Sequence, residues 1–505
     1  MSLTLSVDSK VFAKAYAKGE PQLVWARLAD DLETPVSAFL RFGRDRKNAF
    51  LLESVEGGEV RGRYSIIGLD PDLVWRIDAD RATIARGAEA IAAGNYEPDE
   101  RPPLDSLRAV IAESALEIPR VLPPPAAGLF GYLGYETVRF VDRIPVNDAN
   151  PVGAPDAILL RPTVVVIFDA LTQDIILATP ARPAEGVAAK DAYAAARDRL
   201  AQAAAELNGP RSGRKPMAEP ATAPLEAAVS VSHEAYRARV EAVKRYIRAG
   251  DIFQAVPSQR FSAPFAHPPF ALYRALRKLN PSPFLYFLNF EDFAIVGSSP
   301  EILVRVRDRK ITIRPIAGTR PRGKTPVEDR ALERELLDDE KERAEHLMLL
   351  DLGRNDAGRV AKFGTVRVTE QFIVERYSHV MHIVSNVEAI LKDDCDLVDA
   401  LYAGFPAGTV SGAPKVRAME IIAELESERR GVYAGCVGYF SAGGDMDTCI
   451  ALRTGVVKDG VLHVRAGGGV VFDSDPETER LETTHKSAAV FRAAVEAPRF
   501  ALDEN

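Results

Sequence analysis

Alternating apolar and polar residues mark short strands along this chain, and a 3.6-residue apolar period marks the helices between them. The opening predicts a short helix with Phe12 and Tyr16 on one side. Residues 37–42, 49–54, 63–69 and 73–77 read as strands, the last two as neighbours. Residues 107–114 predict a helix, and the proline-rich IPRVLPPPAAG that follows ends any element there. In GLFGYLGYE the glycines 128, 131 and 134 are three apart. This is not the G-x-G-x-x-G of a dinucleotide loop, and it predicts close backbone packing or a kinked helix start. Residues 157–160, 163–169 and 175–178 read as strands, the third pairing with the second, and 190–207 as a long alanine-rich helix.

Residues 208–231 are rich in Pro, Ala, Gly and Ser and read as a linker between a first lobe, 1–207, and a second region, 232–505. The second region opens with Ser232 as N-cap of a helix running to Ala249 and closed by Gly250. DIFQAVPSQRF reads as a strand and 271–279 as a helix. Residues 284–290, 293–297, 302–306 and 311–316 then predict an antiparallel meander. After an acidic helix, 366–368 and 372–375 are extended, and YSHVMHIVSNVEAIL puts His379 and His382 near a strand. GTVSGAPKVRAMEII turns into a helix with Pro414 near its first turn. A second meander takes 435–441, 448–458 and 461–465, with a Lys458-Asp459-Gly460 turn. The pattern is α+β with a largely antiparallel sheet.

Composition narrows the partners. The 505 residues suffice for roughly two to four domains. A net charge of −8, with no Lys/Arg block, disfavours nucleic acid and anionic membranes. Cys395, Cys436 and Cys449 are odd in number and form no C-x-x-C pair, which predicts free buried thiols. MSLTLSVDSK lacks the basic and apolar segments of a signal peptide, and no apolar run has the length of a membrane span, so the expectation is a cytoplasmic protein.

Candidate chemistry lies on two acidic rows. PIAGTRPRG reads as a strand entering a turn at Gly318. In the helix after it Glu342, Glu345, His346 and Leu349 share one face. Such stripes are most often solvated. A second row, however, stands on the last helix, which starts near Pro476 with Asp475 as N-cap and aligns Glu479, Glu482 and Lys486. Magnesium takes oxygen ligands, keeps several waters and uses one or two protein carboxylates, which suits a pair drawn from two helices. The competing reading pairs both rows with Arg343 or Arg480 on the surface. Gly467, Gly468 and Gly469 would let a carboxylate approach backbone N–H groups, or would form a bulge. Arg453, inside an apolar strand, suits a carboxylate clamp or a pairing with an Asp at the core edge. His382 suits acid–base work or a hydrogen-bonded core position. No G-x-S-x-G or H-E-x-x-H is present.

PIAGTRPRG, DEKERAEHLMLLDLGRNDAGRV, GTVSGAPKVRAMEII and RAGGGVVFDSDPETERLETTHKSAA together resemble the chorismate-utilising enzymes, over essentially the whole second region. LLES at 51–54, RYSIIGLDP and NPSPFLYF are similar to the component I branch of anthranilate synthase and extend the resemblance to nearly the full chain. The resemblance implies a sandwich-like core of large antiparallel sheets with helices packed outside. It implies Mg²⁺ held by Glu345 and Glu482, with Glu342 and Glu479 beside them. It implies chorismate contacts from Gly318, Thr319, Tyr433, Arg453, Gly467, Gly468, Gly469 and Lys486, and catalytic roles for His382, Glu301, Thr319 and Lys486. It also implies a tryptophan site at Glu53, Ser54, Pro283, Phe284 and Leu285. Phe284 departs from the tyrosine expected there.

Ala317 and Gln254 stand where related branches carry lysines, the first as nucleophile and the second to activate water. Their absence favours amination by ammonia. None of the three cysteines lies in a nucleophile turn, so ammonia is expected from solution or from a separate glutamine amidotransferase subunit. The expected reaction is chorismate to anthranilate and pyruvate, the first committed step of tryptophan biosynthesis, inhibited by tryptophan. The alternatives are aminodeoxychorismate synthase component I, aminodeoxyisochorismate synthase, and a non-catalytic regulatory subunit.

Overall fold

Strand pairing carries the architecture. A computed structural model describes residues 3–29, 32–43, 46–54, 62–209, 225–377 and 380–501. Among them, twenty-one strands are linked in one continuous network of antiparallel ladders. The helices pack on its outer faces, and the large apolar clusters lie between ladders and beneath helices. The expected α+β fold with large antiparallel sheets is what the chain adopts.

Strands from the two ends of the chain are interleaved. Ala49–Glu53 pairs with Phe284–Asn289, and Gly128–Leu133 pairs with Cys436–Ser441. The middle of the expected linker, 210–224, lies outside the described residues. Beyond it Ala228–Val229 is a short strand paired with Phe261 and Ser262. The glycines at 128 and 131 form part of a strand and do not start a helix. A Cβ at Gly131 would sit 2.0 Å from the Ile158 carbonyl oxygen, and one at Gly128 2.2 Å from that of Phe440. Only a residue without a side chain lets these backbones approach so closely.

Several boundaries differ from expectation for local reasons. Residues 37–42 belong to a helix, Pro35–Phe42, and not to a strand. Thr34 and Ser37 form a reciprocal capping box there, Pro35 occupies the first turn, and Phe39 and Phe42 bury one face. The strands expected at 63–69 and 73–77 are one strand, Tyr64–Asp78, bent where Asp70 takes a φ of +50° and the register slips past Pro71. Residues 157–169 are likewise one strand, Ala157–Asp169. The first meander is broken: Phe293–Ser299 takes Thr454–Lys458 as its second partner, and Ile302–Arg307 takes Met446–Ile450. Pro300, which has no N–H to donate, lies at the switch. The strand expected at 448–458 is two, Met446–Ile450 and Thr454–Lys458. Arg453 lies between them with φ +49°, in a turn and not inside a strand.

Replacing Gly131 by alanine is expected to destabilise the fold by about 1–3 kcal/mol, the usual cost of overpacking. A fall in the urea midpoint with unchanged slope checks it.

Candidate active site

Two helices bring the acidic rows together. Glu340–Val360 begins at Asp339, whose carboxylate accepts from the N–H groups of Lys341 (3.0 Å) and Glu342 (3.1 Å). Pro476–Glu496 begins at Asp475, which accepts from the Thr478 N–H at 2.8 Å. Each cap fixes which residues follow on the inward face. Burial raises the Glu345 pKa, and the charges of Glu342 and Glu482 raise it further. Glu479 is pushed up to about 7, first by burial and also by Glu482, although Ser474 donates to its Oε1 at 2.7 Å. Its other oxygen, Oε2, is buried with no partner. Glu342 accepts from Arg320 at 3.2 Å and Glu482 from Lys486 at 2.7 Å; Arg480 pairs instead with Glu477. His346, on the same helix face as Glu342, turns inward to Ser385 (2.7 Å), fully buried.

This acidic pair suits a hard divalent cation. Buried carboxyls at Glu345 and Glu479 whose pKa values burial and neighbouring carboxylates raise, and an orphaned buried oxygen on Glu479, are what a bound cation would relieve. Among the described residues no three His, Cys, Asp or Glu side chains close around one point. A cation here would therefore draw most of its ligands from water and a bound anion, as magnesium does.

Beside the rows lies a second group of charges. Glu301 is buried, and burial pushes its pKa up to about 7 against the pull of Thr409, Arg453 and Lys486. Thr409 Oγ1 donates to Glu301 Oε2 at 3.4 Å. The Arg453 guanidinium has no side-chain hydrogen bond or ion pair among the described residues. Burial lowers its pKa, and Glu301 offsets part of that. An unpaired, partly buried guanidinium is an anion site in waiting. His382 stands in the Val380–Ile390 strand, its Nδ1 3.0 Å from both the Gly318 carbonyl and Thr319 Oγ1. A carbonyl only accepts, so Nδ1 carries the proton and Nε2 keeps its lone pair. Burial lowers the His382 pKa, which favours the neutral ring. His379 lies outside the described residues.

The glycine run closes the group. A Cβ at Gly467 would come 2.8 Å from the Tyr433 hydroxyl, one at Gly468 2.9 Å from Glu479 Oε2, and one at Gly469 2.6 Å from Gln254 Nε2. Lys486 Nζ donates to the Gly467 carbonyl at 3.1 Å. Gly318, at φ +73°, has Glu342 Oε2 3.2 Å from where its Cβ would be. The structure thus gathers Glu301, Gly318, Thr319, Glu342, Glu345, His382, Tyr433, Arg453, the three glycines, Glu479, Glu482 and Lys486 around one locus. Gln254, which stands where related branches carry a lysine, joins them at Gly469, and so do Thr409, Ser474 and Tyr377. Tyr377 packs edge-on against His382 at 5.4 Å. Only tertiary folding reveals these last three.

A separate cavity of about 560 Å³ shares no lining residue with that group. Glu53, Ser54, Pro283, Phe284 and Leu285 all line it, with Arg305, Tyr439, Asp447 and others. The Glu53 carboxylate is already engaged by Arg277, at 2.8 and 3.0 Å, and by the Tyr273 hydroxyl. The unengaged acceptor on the wall is Asp447: Arg305 and Arg307 hold its Oδ2 at 3.0 and 3.2 Å, while its Oδ1 is buried without a partner. Its place in a short apolar strand gave no sign of this.

A family model for chorismate binding enzymes matches residues 48–492. The chain belongs to that family. Within it, the chain is 56% identical to anthranilate synthase component 1 of Cereibacter sphaeroides over 97% of its own length and 98% of the relative's. It is 48% identical to the protein of the same name from Pseudomonas putida, over 92% and 93%. Among solved structures, anthranilate synthase component I from Streptococcus pneumoniae superposes with a TM-score of 0.75 at 36% identity, covering 92% of this chain and 99% of that one. The menaquinone-specific isochorismate synthase of Escherichia coli, at 19% identity and TM-score 0.69 over 97% and 100%, shares the fold. No helix among the described residues is long and apolar enough to cross a membrane.

Glu301 gives a test independent of turnover. Its ordinary value is 4.5 and its folded value about 7. The folded state therefore binds the proton more tightly, and stability falls as pH rises through that window. Glu301→Gln removes the term. The variant is expected to match the parent at pH 4 and to exceed it at pH 8, by up to about 3 kcal/mol. Denaturation midpoints at the two pH values check this; a gain confined to acid pH would contradict it.

Proposed function

We propose that this chain is the chorismate-converting component of an anthranilate synthase, making anthranilate and pyruvate from chorismate and ammonia. The observation that carries the reading is the unpaired Arg453 guanidinium beside a Glu301 poised near neutrality, within reach of a glycine run and the acidic rows. Chorismate has two carboxylates and a ring hydroxyl that must leave. Arg453, Lys486 and the side-chain-free backbone of Gly467–Gly469 are suited to the carboxylates. Glu301 in its protonated form donates to the departing hydroxyl. Thr319 and the Gly318 carbonyl orient neutral His382, whose Nε2 is suited to take a ring proton as pyruvate leaves. Tyr433 forms the wall against the glycine run.

Glu345 and Glu482 would hold Mg²⁺, flanked by Glu342 and Glu479. Bound there, the metal would withdraw electrons through the ring carboxylate. Ala317 and Gln254 disfavour the lysine-dependent branches and support amination. Ammonia would come from glutamine through a separate amidotransferase subunit.

The first lobe, in this reading, senses tryptophan. A cavity of about 560 Å³ is in the range of small-molecule sites. Phe284 and Tyr439 offer aromatic surface to an indole, Ser54 offers a hydroxyl, and the free oxygen of Asp447 suits an ammonium. Tryptophan would then favour a state that binds chorismate poorly, with a coupling of about 1–3 kcal/mol.

Three outcomes test the proposal. The purified chain should consume chorismate with ammonium salt but not with glutamine, anthranilate being identified by fluorescence and mass. Aminodeoxychorismate as product would favour the runner-up, and no chorismate loss would favour a regulatory subunit. Glu345→Gln and Glu482→Gln should each abolish Mg²⁺-dependent turnover and weaken Mg²⁺ binding by calorimetry; a variant with parental activity would remove the metal assignment. Ser54→Phe should raise the tryptophan concentration for half-inhibition at least tenfold, while turnover without tryptophan persists. Unchanged sensitivity would sink the regulatory site.

A further inference from the structure

Arg430 stands behind the candidate active site and touches none of the groups given a chemical role above except the Tyr433 ring. Its side chain is 1% exposed and that of its partner, Glu426, 2%. Nε and Nη2 bind the two Glu426 oxygens at 3.0 and 2.7 Å. Two further N–H groups reach backbone carbonyls, Val410 at 2.8 Å and Val256 at 2.6 Å. The guanidinium also lies over two aromatic rings, 4.8 Å from the Tyr135 centroid and 5.7 Å from that of Tyr433.

Each contact leads to a different wall. Val410 follows Thr409, the donor to Glu301. Val256 precedes Pro257, whose carbonyl accepts from the Gly468 N–H at 3.3 Å and lies 2.8 Å from where a Gly467 Cβ would be. Glu426 accepts from the Ser258 N–H at 2.7 Å and fixes the same segment from its other end. The first lobe fixes the backbone beneath: Glu136 accepts from the N–H groups of Arg430 (2.6 Å) and Gly431 (3.0 Å). A planar fork with five donors can tie several acceptors in fixed directions at once, and lysine cannot.

We propose that Arg430 is a positioning residue for the reaction, setting Tyr433, the Thr409 turn and the Gly467–Gly468 backbone relative to one another. This rests on reading the site as the chorismate site. In Arg430→Lys, kcat/KM for chorismate with ammonium chloride should fall at least tenfold, mainly through KM, at a temperature where circular dichroism shows the variant folded. In a Tyr433→Leu background the same change should cost at least threefold less than in the parent, because one of the three walls it sets, the Tyr433 ring, is gone. Arg161→Lys, a comparably buried arginine of the first lobe paired with Asp72 and Glu113, should lower the melting temperature without moving KM. Should Arg430→Lys not accumulate as folded protein, Glu426→Gln is read the same way. Parental kcat/KM in the folded variant, or losses that simply multiply with Tyr433→Leu, would overturn the positioning role alone. A parent chain that consumes no chorismate would remove the functional reading and this inference with it.

Discussion

The ladder between Gly128–Leu133 and Cys436–Ser441 is the constraint on which the other parts rest. It closes as it does because Gly128 and Gly435, near its two ends, carry no side chains: a Cβ on the first would sit 2.2 Å from the Phe440 carbonyl oxygen and one on the second 2.3 Å from that of Leu133. On one side it leads to the cavity through Val437, Gly438 and Tyr439. At its other end, a few residues before Cys436, stands Tyr433 against the glycine run. The cavity and the candidate active site are thus both borne by one short stretch of chain, although they share no lining residue. A shift of that stretch by a fraction of an ångström would reach both, because packed backbones transmit displacement instead of absorbing it.

Charge is distributed with equal economy. Most cations near the site are spent on named partners, such as Arg430 and Arg465 on Glu426, Lys415 on Asp356 and Arg320 on Asp339. Among the described residues Arg453 is the exception, beside a carboxyl group whose pKa burial raises to about 7. Glu345 and Glu479 are each raised in pKa by burial and further by like charge. A ligand carrying anionic groups, together with a cation, would satisfy both imbalances at once. Charge left without a protein partner is a common arrangement where a site is preorganised for its ligand.

Local chemistry was legible in the sequence, and long-range pairing was not. Asp475 before Pro476, Ser232 before its helix and Gly250 after it announce themselves because caps involve neighbours only. The capping box at Thr34 and Ser37 carried the same kind of signal, but the apolar residues around it suggested a strand instead. The two acidic rows could be placed on their helices by spacing, yet their convergence depends on how distant helices pack. Likewise LLES suggested a carboxylate facing a ligand, whereas Glu53 meets Arg277 across 224 residues of chain. Arg453 appeared to sit within a strand because its flanks are apolar. Its left-handed backbone, which turns it out of the ladder, is set by strands that cross there.

The interleaving of early and late strands also bears on how the polypeptide leaves the ribosome. Asn289 donates to the Arg46 carbonyl at 2.7 Å across 243 residues, and Ala49–Glu53 has Phe284–Asn289 as one of its partners. At ordinary elongation rates the earlier strand waits roughly ten to fifty seconds for the later one to be made. During that time one edge of an apolar strand lacks its final partner, the state most prone to pairing with another chain. Whatever covers that edge during synthesis then protects the chain from pairing with its neighbours.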